Sequence, residues 1–230
     1  MDLMEIWAHR GACHFAPENT LESFKLAVDM GADGVELDIQ LAKDGEIVVI
    51  HDETIDRASN GWVKDYTLAE LRKFKIPTLA EVLKLICPTG LIMNIELKTG
   101  IIFYNGIEEK AMSLVQKYDA VDQVVWSSFN HWSVKKIHEL NAKAQTALLC
   151  GNGILVTGEQ CEKVGALALH PEYSQLFFPG LVDDCHKRGI KVRPWTLNHP
   201  DEFNYANHLG VDAVITNRID LAQSVLKYVK

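Results

Sequence analysis

The segment Gly34-Val-Glu-Leu-Asp-Ile-Gln40 alternates aliphatic side chains with polar ones, which is the pattern of a β-strand. Short runs rich in β-branched and other aliphatic residues recur along the chain. There are eight of them: Glu5–Ala8, Gly34–Gln40, Leu91–Lys98, Gln123–Phe129, Ala144–Cys150, Ala166–His170, Ile190–Leu197 and Ala213–Thr216. Several are apolar on both faces, which is typical of strands that other elements cover on both sides.

Helical stretches lie between these runs: Leu21–Met30, Ile107–Tyr118, Val134–Asn141, Leu181–Lys187, Glu202–His208 and Leu221–Val229 are examples. Eight alternating strand–helix units in 230 residues predict one (β/α)8 TIM barrel domain over residues 1–230, since such barrels usually need about 250 residues. A doubly wound open sheet is the competing architecture. It normally carries a glycine-rich phosphate-binding turn after its first strand, and that turn is missing here.

One segment interrupts the alternation. Lys43-Asp-Gly45 is a strong turn signal, and Ile47-Val-Val-Ile-His51 follows it almost directly. We therefore predict a small β-hairpin insertion after the second strand, in which Glu46–His51 folds back beside that strand. Three helix starts are indicated by patterns similar to capping boxes: Asn19-Thr-Leu-Glu22, Thr67-Leu-Ala-Glu70 and Thr78-Leu-Ala-Glu81.

Composition excludes several classes of function. The formal net charge is -8, and the sequence lacks the basic footprint of a nucleic-acid-binding protein. No stretch approaches the ~20 consecutive apolar residues of a membrane span. The first five residues do not have the basic and apolar regions of a secretory signal. We therefore expect no nucleic-acid partner and no membrane span, while the sequence leaves the oligomeric state open.

The five cysteines are Cys13, Cys87, Cys150, Cys161 and Cys185. Their number is odd, their spacing is wide and none forms a Cys-x-x-Cys pair, which excludes zinc-ribbon and thioredoxin-like sites. We expect reduced cysteines in a cytoplasmic protein, with a mature exported domain as the alternative.

Charged residues interrupt two strands that should be buried. Glu36 and Asp38 lie two positions apart in the second strand and therefore share one face. Glu96 and Lys98 do the same in the third strand. Because the C-terminal ends of the strands face the active site of a TIM barrel, we expect these side chains to meet there.

A buried charge without a partner is costly, so each of these groups needs one. In one arrangement, Lys98 and Arg10 pair with the three acids in a salt-bridged plug. In the other, Glu36, Asp38 and Glu96 hold a divalent cation, which would cancel the surplus of three acids over two bases. Oxygen ligands without a thiolate nearby favour Mg²⁺ or Ca²⁺ over zinc.

Two histidines should emerge at the same mouth of the barrel as the carboxylates. His9 follows the first strand, and His51 ends the strand of the hairpin. Two imidazoles that flank a metal site can act as general base and general acid, because their ordinary pKa is about 6.5. The alternative for each one alone is a structural histidine.

Motifs with a recognisable combination run through the whole chain: His9-Arg-Gly-Ala12, Ala16-Pro-Glu-Asn-Thr20, Glu36-Leu-Asp38, Lys43-Asp-Gly45, His51-Asp52, Ile76-Pro-Thr-Leu79, Ile95-Glu-Leu-Lys98, Ser128-Phe129, His170-Pro171, Trp195-Thr-Leu-Asn198 and Gly210-Val-Asp-Ala-Val-Ile-Thr-Asn217. Together they resemble the glycerophosphodiester phosphodiesterase family, although the separate parts are not specific. The short chain is similar to the compact intracellular bacterial members.

The resemblance implies a (β/α)8 barrel that hydrolyses glycerophosphodiesters, such as glycerophosphocholine and glycerophosphoethanolamine, to sn-glycerol 3-phosphate and an alcohol. It also implies a divalent cation, most often Mg²⁺ or Ca²⁺. The implied roles are these: His9 and His51 form the acid–base pair, Glu36, Asp38 and Glu96 ligate the metal, Arg10 and Lys98 contact the phosphate, and Trp195 lines the site.

Three other functions remain open. A related barrel phosphodiesterase would act on lysophospholipids or phosphoinositides, but the sequence shows no apolar or basic segment for a membrane-bound substrate. A non-catalytic barrel would bind phosphorylated ligands, but all seven presumed catalytic and binding residues are present. A metal-dependent enzyme acting on a carbon acid would depend on a lysine as a base or in a Schiff base. Lys98 alone is weak support for this function. The sequence does not decide which histidine is the acid, or whether water or the substrate's own 2-hydroxyl is the nucleophile.

Overall fold

Eight parallel strands form a barrel, as predicted. The computed structural model describes residues 4–55, 61–153 and 157–226. Its strands are β1 (Glu5–Ala8), β2 (Gly34–Leu41), β3 (Ile47–Val49), β4 (Ile92–Leu97), β5 (Val124–Ser128), β6 (Gln145–Cys150), β7 (Ala168–Pro171), β8 (Lys191–Val192) and β9 (Ala213–Thr216). Hydrogen-bonded neighbours follow the order β8-β7-β6-β5-β4-β2-β1-β9, and β3 is added to β2. The prediction of a (β/α)8 barrel is therefore confirmed.

The barrel closes between β8 and β9, although β8 has only two residues. The predicted strand 190–197 is shorter in the structure because Pro194 has no N–H to donate to a neighbouring strand. Backbone hydrogen bonds still join this segment to the last strand. Asp212 N donates to the Val192 carbonyl and Ile215 N to the Pro194 carbonyl, both at 2.9 Å.

Helices surround the barrel: α1 (Leu21–Asp29), α2 (Leu68–Leu71), α3 (Leu79–Ile86), α4 (Ile107–Lys117), α5 (His131–Leu140), α6 (Thr157–Val164), α7 (Leu181–Lys187), α8 (Pro200–Leu209) and α9 (Ile219–Leu226). Helix α6 is not among the helical stretches named from the sequence, and it buries small residues rather than large aliphatic ones. The predicted last helix continued to Val229, but residues 227–229 lie outside the described residues. Among the helices described, none combines the length and the apolar character that a membrane crossing requires.

The aliphatic residues of β2 face outward and leave its polar residues facing the interior of the barrel. Leu37, for example, belongs to one buried cluster with Phe24 of α1. Successive side chains of a strand point to opposite faces, so Glu36 and Asp38 point inward. A second buried apolar cluster is made of Trp7, Val125, Ala147, Ala168, Ala213 and Ile215.

The hairpin insertion is confirmed. β3 pairs antiparallel with β2, and Val48 lies opposite Gln40. Gly45 makes the turn at a φ of 81°, a conformation that glycine adopts without steric cost. After β3, Ile50 N donates to the Asp38 carbonyl at 3.0 Å, so the chain returns to the mouth of the barrel just before His51.

Two of the three predicted helix starts have the expected caps. Thr67 and Thr78 each form a capping box with the glutamate three residues later. The predicted start at Asn19 is wrong by one residue, since Thr20 caps α1 and Ser23 completes its capping box. Asn19 does not cap the helix because its backbone is left-handed, at a φ of 55°, and its side chain binds a residue of β2.

The loop between β1 and α1 requires glycine at position 11. Gly11 has a φ of 77°, and an added Cβ would lie 2.7 Å from the backbone carbonyl carbon of Ser23. Gly90 also has a φ of 77°, but nothing lies within 4 Å of its added Cβ, so it is a matched control. We expect Gly90→Ala to lower the free energy of unfolding by about 1–2 kcal/mol through its left-handed backbone alone. Gly11→Ala should lower it further in urea denaturation, and an equal loss would contradict the steric argument.

Candidate active site

The predicted site residues meet at one cavity of about 190 Å³. Six of the eight line it: His9, Arg10, Glu36, His51, Glu96 and Trp195. The other two join them through ion pairs, because Lys98 Nζ lies 3.0 Å from Glu96 Oε1 and 3.8 Å from Asp38 Oδ1. The cavity lies at the C-terminal ends of the strands, where TIM-barrel enzymes hold their active sites.

Three carboxylates lie close together in this site. Glu36, Asp38 and Glu96 each place one oxygen within 4.8 Å of the others. The register of the parallel strands β2 and β4 explains the arrangement, since Asp38 lies directly opposite Glu96. All three residues are buried, with no more than 8% of the surface of any one exposed.

The loop between β1 and α1 supplies hydrogen bonds to the two acids of β2. Arg10 N donates to Glu36 Oε2 at 2.8 Å, and Asn19 Nδ2 donates to Asp38 Oδ2 at 2.9 Å. The guanidinium Nε of Arg10 is 3.7 Å from the same Asp38 oxygen. The other oxygen, Oδ1, is buried and accepts no hydrogen bond from the described residues.

Positive side chains do not balance the negative charge of this cluster. Arg10 Nη1 also binds both carboxylate oxygens of Glu18 at 3.0 Å. Four carboxylates therefore share the charges of Arg10 and Lys98, which leaves two surplus negative charges within this group. A salt-bridged plug alone would leave that surplus uncompensated.

Burial and mutual repulsion raise the pKa values of the two glutamates in the cluster. Burial raises the pKa of Glu36 well above its ordinary value, and the charges of Asp38 and Glu96 raise it further. Burial and the charge of Asp38 raise the pKa of Glu96 to about 7. A divalent cation would offset both effects, and Asp38 Oδ1, which accepts no hydrogen bond from the described residues, would serve as one of its ligands. The residues thus fit a hard cation with oxygen ligands.

His9 is held by the loop that follows β9. Its Nδ1 lies 2.7 Å from Asn217 Oδ1, which also accepts a hydrogen bond from the Cys13 thiol at 3.0 Å. Because an amide oxygen only accepts, Nδ1 carries the hydrogen and Nε2 keeps its lone pair. That Nε2 lies 3.9 Å from Glu36 Oε2. Burial lowers the pKa of His9 to about 4, so the ring is neutral at neutral pH.

His51 has a different partner. Its Nδ1 lies 2.7 Å from Asp52 Oδ1, so a carboxylate rather than an amide faces the ring. A carboxylate in this position accepts the Nδ1 hydrogen, which fixes the tautomer and the orientation of the ring. The two histidines therefore differ in their hydrogen-bond partners, although both line the same cavity.

An apolar wall faces the charged groups across the cavity. Trp195 follows β8, and its indole N–H donates to the His170 carbonyl at 2.9 Å. The ring of Phe129 packs edge-on against it, at 5.6 Å between centroids, and Leu149 and Ile215 also line this side. His170 of the His170-Pro171 motif is fully buried and packs edge-on against the Trp7 ring.

Three amides in the site were not predicted to have functional contacts: Asn19, Gln40 and Asn217. They bind Asp38, the backbone around His51, and His9, respectively. A signal for each was present in the sequence. Asn19 lies in the Pro-Glu-Asn-Thr motif, Gln40 extends the inward face of β2, and Asn217 directly follows β9.

Known proteins similar to this chain share one description. The model of the glycerophosphoryl diester phosphodiesterase family matches residues 9–221. A glycerophosphodiester phosphodiesterase of Caldanaerobacter subterraneus subsp. tengcongensis is 41% identical over 225 residues, covering 91% of this chain and 92% of that protein. Another, of Bacillus altitudinis, is 35% identical and covers 99% of this chain and 100% of its own.

A solved structure gives the same result. An Oleispira antarctica phosphodiesterase, in complex with its product sn-glycerol-3-phosphate, superposes with a TM-score of 0.87 at 28% identity. The match covers 98% of this chain and 97% of that one. The fold and the sequence matches define a phosphodiester hydrolase of the TIM-barrel class.

The chain belongs to the glycerophosphoryl diester phosphodiesterase family. The resemblance inferred from the motifs is confirmed, and so is the prediction of an enzyme with glycerophosphodiester phosphodiesterase activity. Glu36, Asp38 and Glu96 form an acidic cluster that could hold a metal ion.

The variant Glu36→Gln tests whether the acidic cluster is a cation site. Glutamine can still accept the hydrogen bond from Arg10 N, but it removes one of three crowded charges. We therefore expect its melting temperature in EDTA to equal or exceed that of the wild type. Mg²⁺ or Ca²⁺ at 100 times its Kd should stabilise the wild type by about 2.7 kcal/mol, and the variant much less.

Thermal unfolding with and without each cation measures these differences. Glu22→Gln, an exposed acid in the first turn of α1, is the matched control and should keep the full cation-induced shift. A full shift in Glu36→Gln would contradict the metal site.

Proposed function

We propose that this enzyme uses a divalent cation to hydrolyse glycerophosphodiesters, such as glycerophosphocholine or glycerophosphoethanolamine, to sn-glycerol 3-phosphate and an alcohol. One observation carries the proposal: three buried carboxylates, two cationic side chains and two histidines converge on one cavity. A phosphodiester is an anion whose cleavage needs charge neutralisation, a nucleophile and a protonated leaving group. The product held by the Oleispira antarctica relative supports the same reaction.

The three carboxylates would hold the cation. Glu36, Asp38 and Glu96 offer only oxygen ligands, which favour Mg²⁺ or Ca²⁺. When bound, the cation supplies Lewis-acid polarisation of a phosphoryl oxygen and neutralises its charge. Arg10 and Lys98, which already lie against these acids, would contact the phosphate with their positive charges.

The hydrogen bonds of the two histidines suggest separate roles. His9 is the proposed general base, because its Nδ1 hydrogen is directed to Asn217 and its Nε2 lone pair is free to accept a proton. His51 is the proposed general acid, because the Asp52 carboxylate accepts its Nδ1 hydrogen and leaves Nε2 to carry the proton for the leaving oxygen. His9 takes a proton from the nucleophile, whose oxygen forms a bond to phosphorus. The bond from phosphorus to the alcohol oxygen breaks, and His51 gives its proton to that oxygen.

The nucleophile is water or the substrate's own glycerol 2-hydroxyl. On the second route a cyclic phosphate forms first, and water then opens it with both proton transfers reversed. Trp195 would line the site on the apolar side, where it and Phe129 can pack against the glycerol carbons.

The proposed setting is the cytoplasm. All five cysteines, Cys13, Cys87, Cys150, Cys161 and Cys185, are free. Reduced thiols are normal in a reducing compartment, which supports this location.

A release assay for sn-glycerol 3-phosphate tests the function. The purified protein is incubated with glycerophosphocholine or glycerophosphoethanolamine in EDTA, Mg²⁺ or Ca²⁺. We expect release with a cation and none in EDTA, because the crowded carboxylates need the cation to bind an anionic substrate. No release by folded protein under either cation would contradict the proposal, and choline release from lysophosphatidylcholine alone would favour a lysophospholipid substrate.

Two histidine variants test the assigned roles. His9→Ala and His51→Ala should each lower kcat on glycerophosphocholine by at least ~10², the usual contribution of acid–base catalysis. With a p-nitrophenyl ester of glycerol phosphate, whose leaving group needs no proton, His51→Ala should lose far less activity while His9→Ala still loses most of it. His208→Ala, an exposed histidine of α8, is the control. Equal losses of His51→Ala on both substrates would contradict its role as the acid.

A further inference from the structure

Gln40 is a buried amide that binds the backbone of the segment carrying His51. It is fully buried at the end of the inward face of β2. Its Nε2 donates to three consecutive carbonyl oxygens, those of Ile50 (3.1 Å), His51 (3.1 Å) and Asp52 (2.8 Å). The two amide hydrogens are shared among these acceptors. No backbone N–H within the described ranges donates to the same oxygens.

Tyr104 fixes the orientation of this amide. Its hydroxyl donates to Gln40 Oε1 at 2.8 Å, from the loop between β4 and α4. Burial raises the pKa of the Tyr104 hydroxyl, so it stays protonated and remains a donor. A reversed amide would aim its oxygen at three carbonyl oxygens, which leaves one orientation.

The segment that holds His51 has few other constraints. Residues 50–53 belong to no helix or strand, and the His51 side chain is 30% exposed. The hydrogen-bond partner of its ring, Asp52, lies on the same segment. Val63 N donates to the Glu53 carbonyl at 2.8 Å, and Ile50 N donates to the Asp38 carbonyl. Among the described residues, Gln40 and the bond to Asp38 connect the segment to β2.

We propose that Gln40 is a positioning residue that sets the distance of His51 from the reacting phosphodiester, and that Tyr104 locks the Gln40 side chain in place. Gln40 follows the proposed metal ligand Asp38 by two residues on the same strand face, so one strand fixes both the metal ligand and the acid. This inference rests on the proposed role of His51 as general acid. A displacement of about 1 Å at a catalytic group can cost 10²-fold in rate, which is why such an anchor matters.

The variants Gln40→Met and Tyr104→Phe weaken the hydrogen bonding that holds residues 50–52 to different extents. Gln40→Met removes all its hydrogen bonds at similar volume, and Tyr104→Phe removes one hydroxyl. The matched controls are Gln175→Met, a buried glutamine after β7, and Tyr205→Phe, whose hydroxyl binds the Leu176 carbonyl at 3.3 Å. If Gln40→Met fails to fold, Tyr104→Phe keeps the test valid.

Steady-state kinetics on two substrates and hydrogen exchange measure the effect. We expect Gln40→Met to lower kcat on glycerophosphocholine at least ~10-fold, with KM and the activating cation concentration within about 2-fold of the wild type. Tyr104→Phe should show a smaller loss in the same direction. Both should lose far less on the p-nitrophenyl ester, where no acid is needed, and amide exchange over residues 50–53 should be faster. The control variants Gln175→Met and Tyr205→Phe should change neither the kinetic constants nor the exchange rates over residues 50–53.

Three results would overturn the inference: unchanged kcat in both variants, equal losses on the two substrates, or unchanged exchange over residues 50–53. These results differ from a failure of the proposed function itself. In that case the wild type would release no sn-glycerol 3-phosphate from either substrate, while the exchange data would still report on the anchor.

Discussion

The site depends on the electrostatic cost of burying three carboxylates within a few ångströms of one another. Glu36, Asp38 and Glu96 are almost completely removed from water. Water cannot solvate these charges, so the protein must supply donors and cations. The backbone of Arg10, the amide of Asn19 and the ammonium of Lys98 do this only in part, because one oxygen of Asp38 still lacks a hydrogen bond among the described residues. The incomplete compensation is what makes the cluster a candidate cation site.

The barrel provides this cluster from residues far apart in the chain. Parallel pairing sets Asp38 opposite Glu96, and the period of two along a strand keeps Glu36 on the same face as Asp38. The strand–loop junctions then add the histidines, one after β1 and one after the hairpin strand β3. Strands thus hold the acids, while loops hold the two histidines proposed as acid and base.

Much of this architecture was predictable because it follows from local periodicity. The alternation of strands and helices predicted the barrel, and Lys43-Asp-Gly45 predicted the hairpin, since both depend on neighbouring residues only. The same period of two put Glu36 and Asp38 on one strand face from their spacing alone. Two features were not predictable in this way. β8 is short because Pro194 has no N–H to donate to a neighbouring strand, and α6 lacks the large apolar face that would indicate a helix.

The amides were not predictable, because their partners are set by loop conformation. Asn19 resembled a helix cap in sequence, but its left-handed backbone turns its side chain to Asp38. Gln40 and Asn217 find partners on other elements, the segment after β3 and the loop after β1. Local patterns place these three amides near the site, but they do not give the partners of the side chains. Strand position singled out the charged residues and the family resemblance implied their roles, whereas the structure shows which side chains orient them.

The central claim is that the buried acids hold a cation at which a phosphate binds. A crystal structure with Mn²⁺ and sn-glycerol 3-phosphate, with anomalous data at the manganese edge, tests it most directly. We predict one anomalous peak, from an ion bound to oxygens of Glu36, Asp38 and Glu96. The phosphate should lie between that ion and the side chains of Arg10 and Lys98. An acid cluster without a peak, its carboxylates paired only with Arg10 and Lys98, would contradict it.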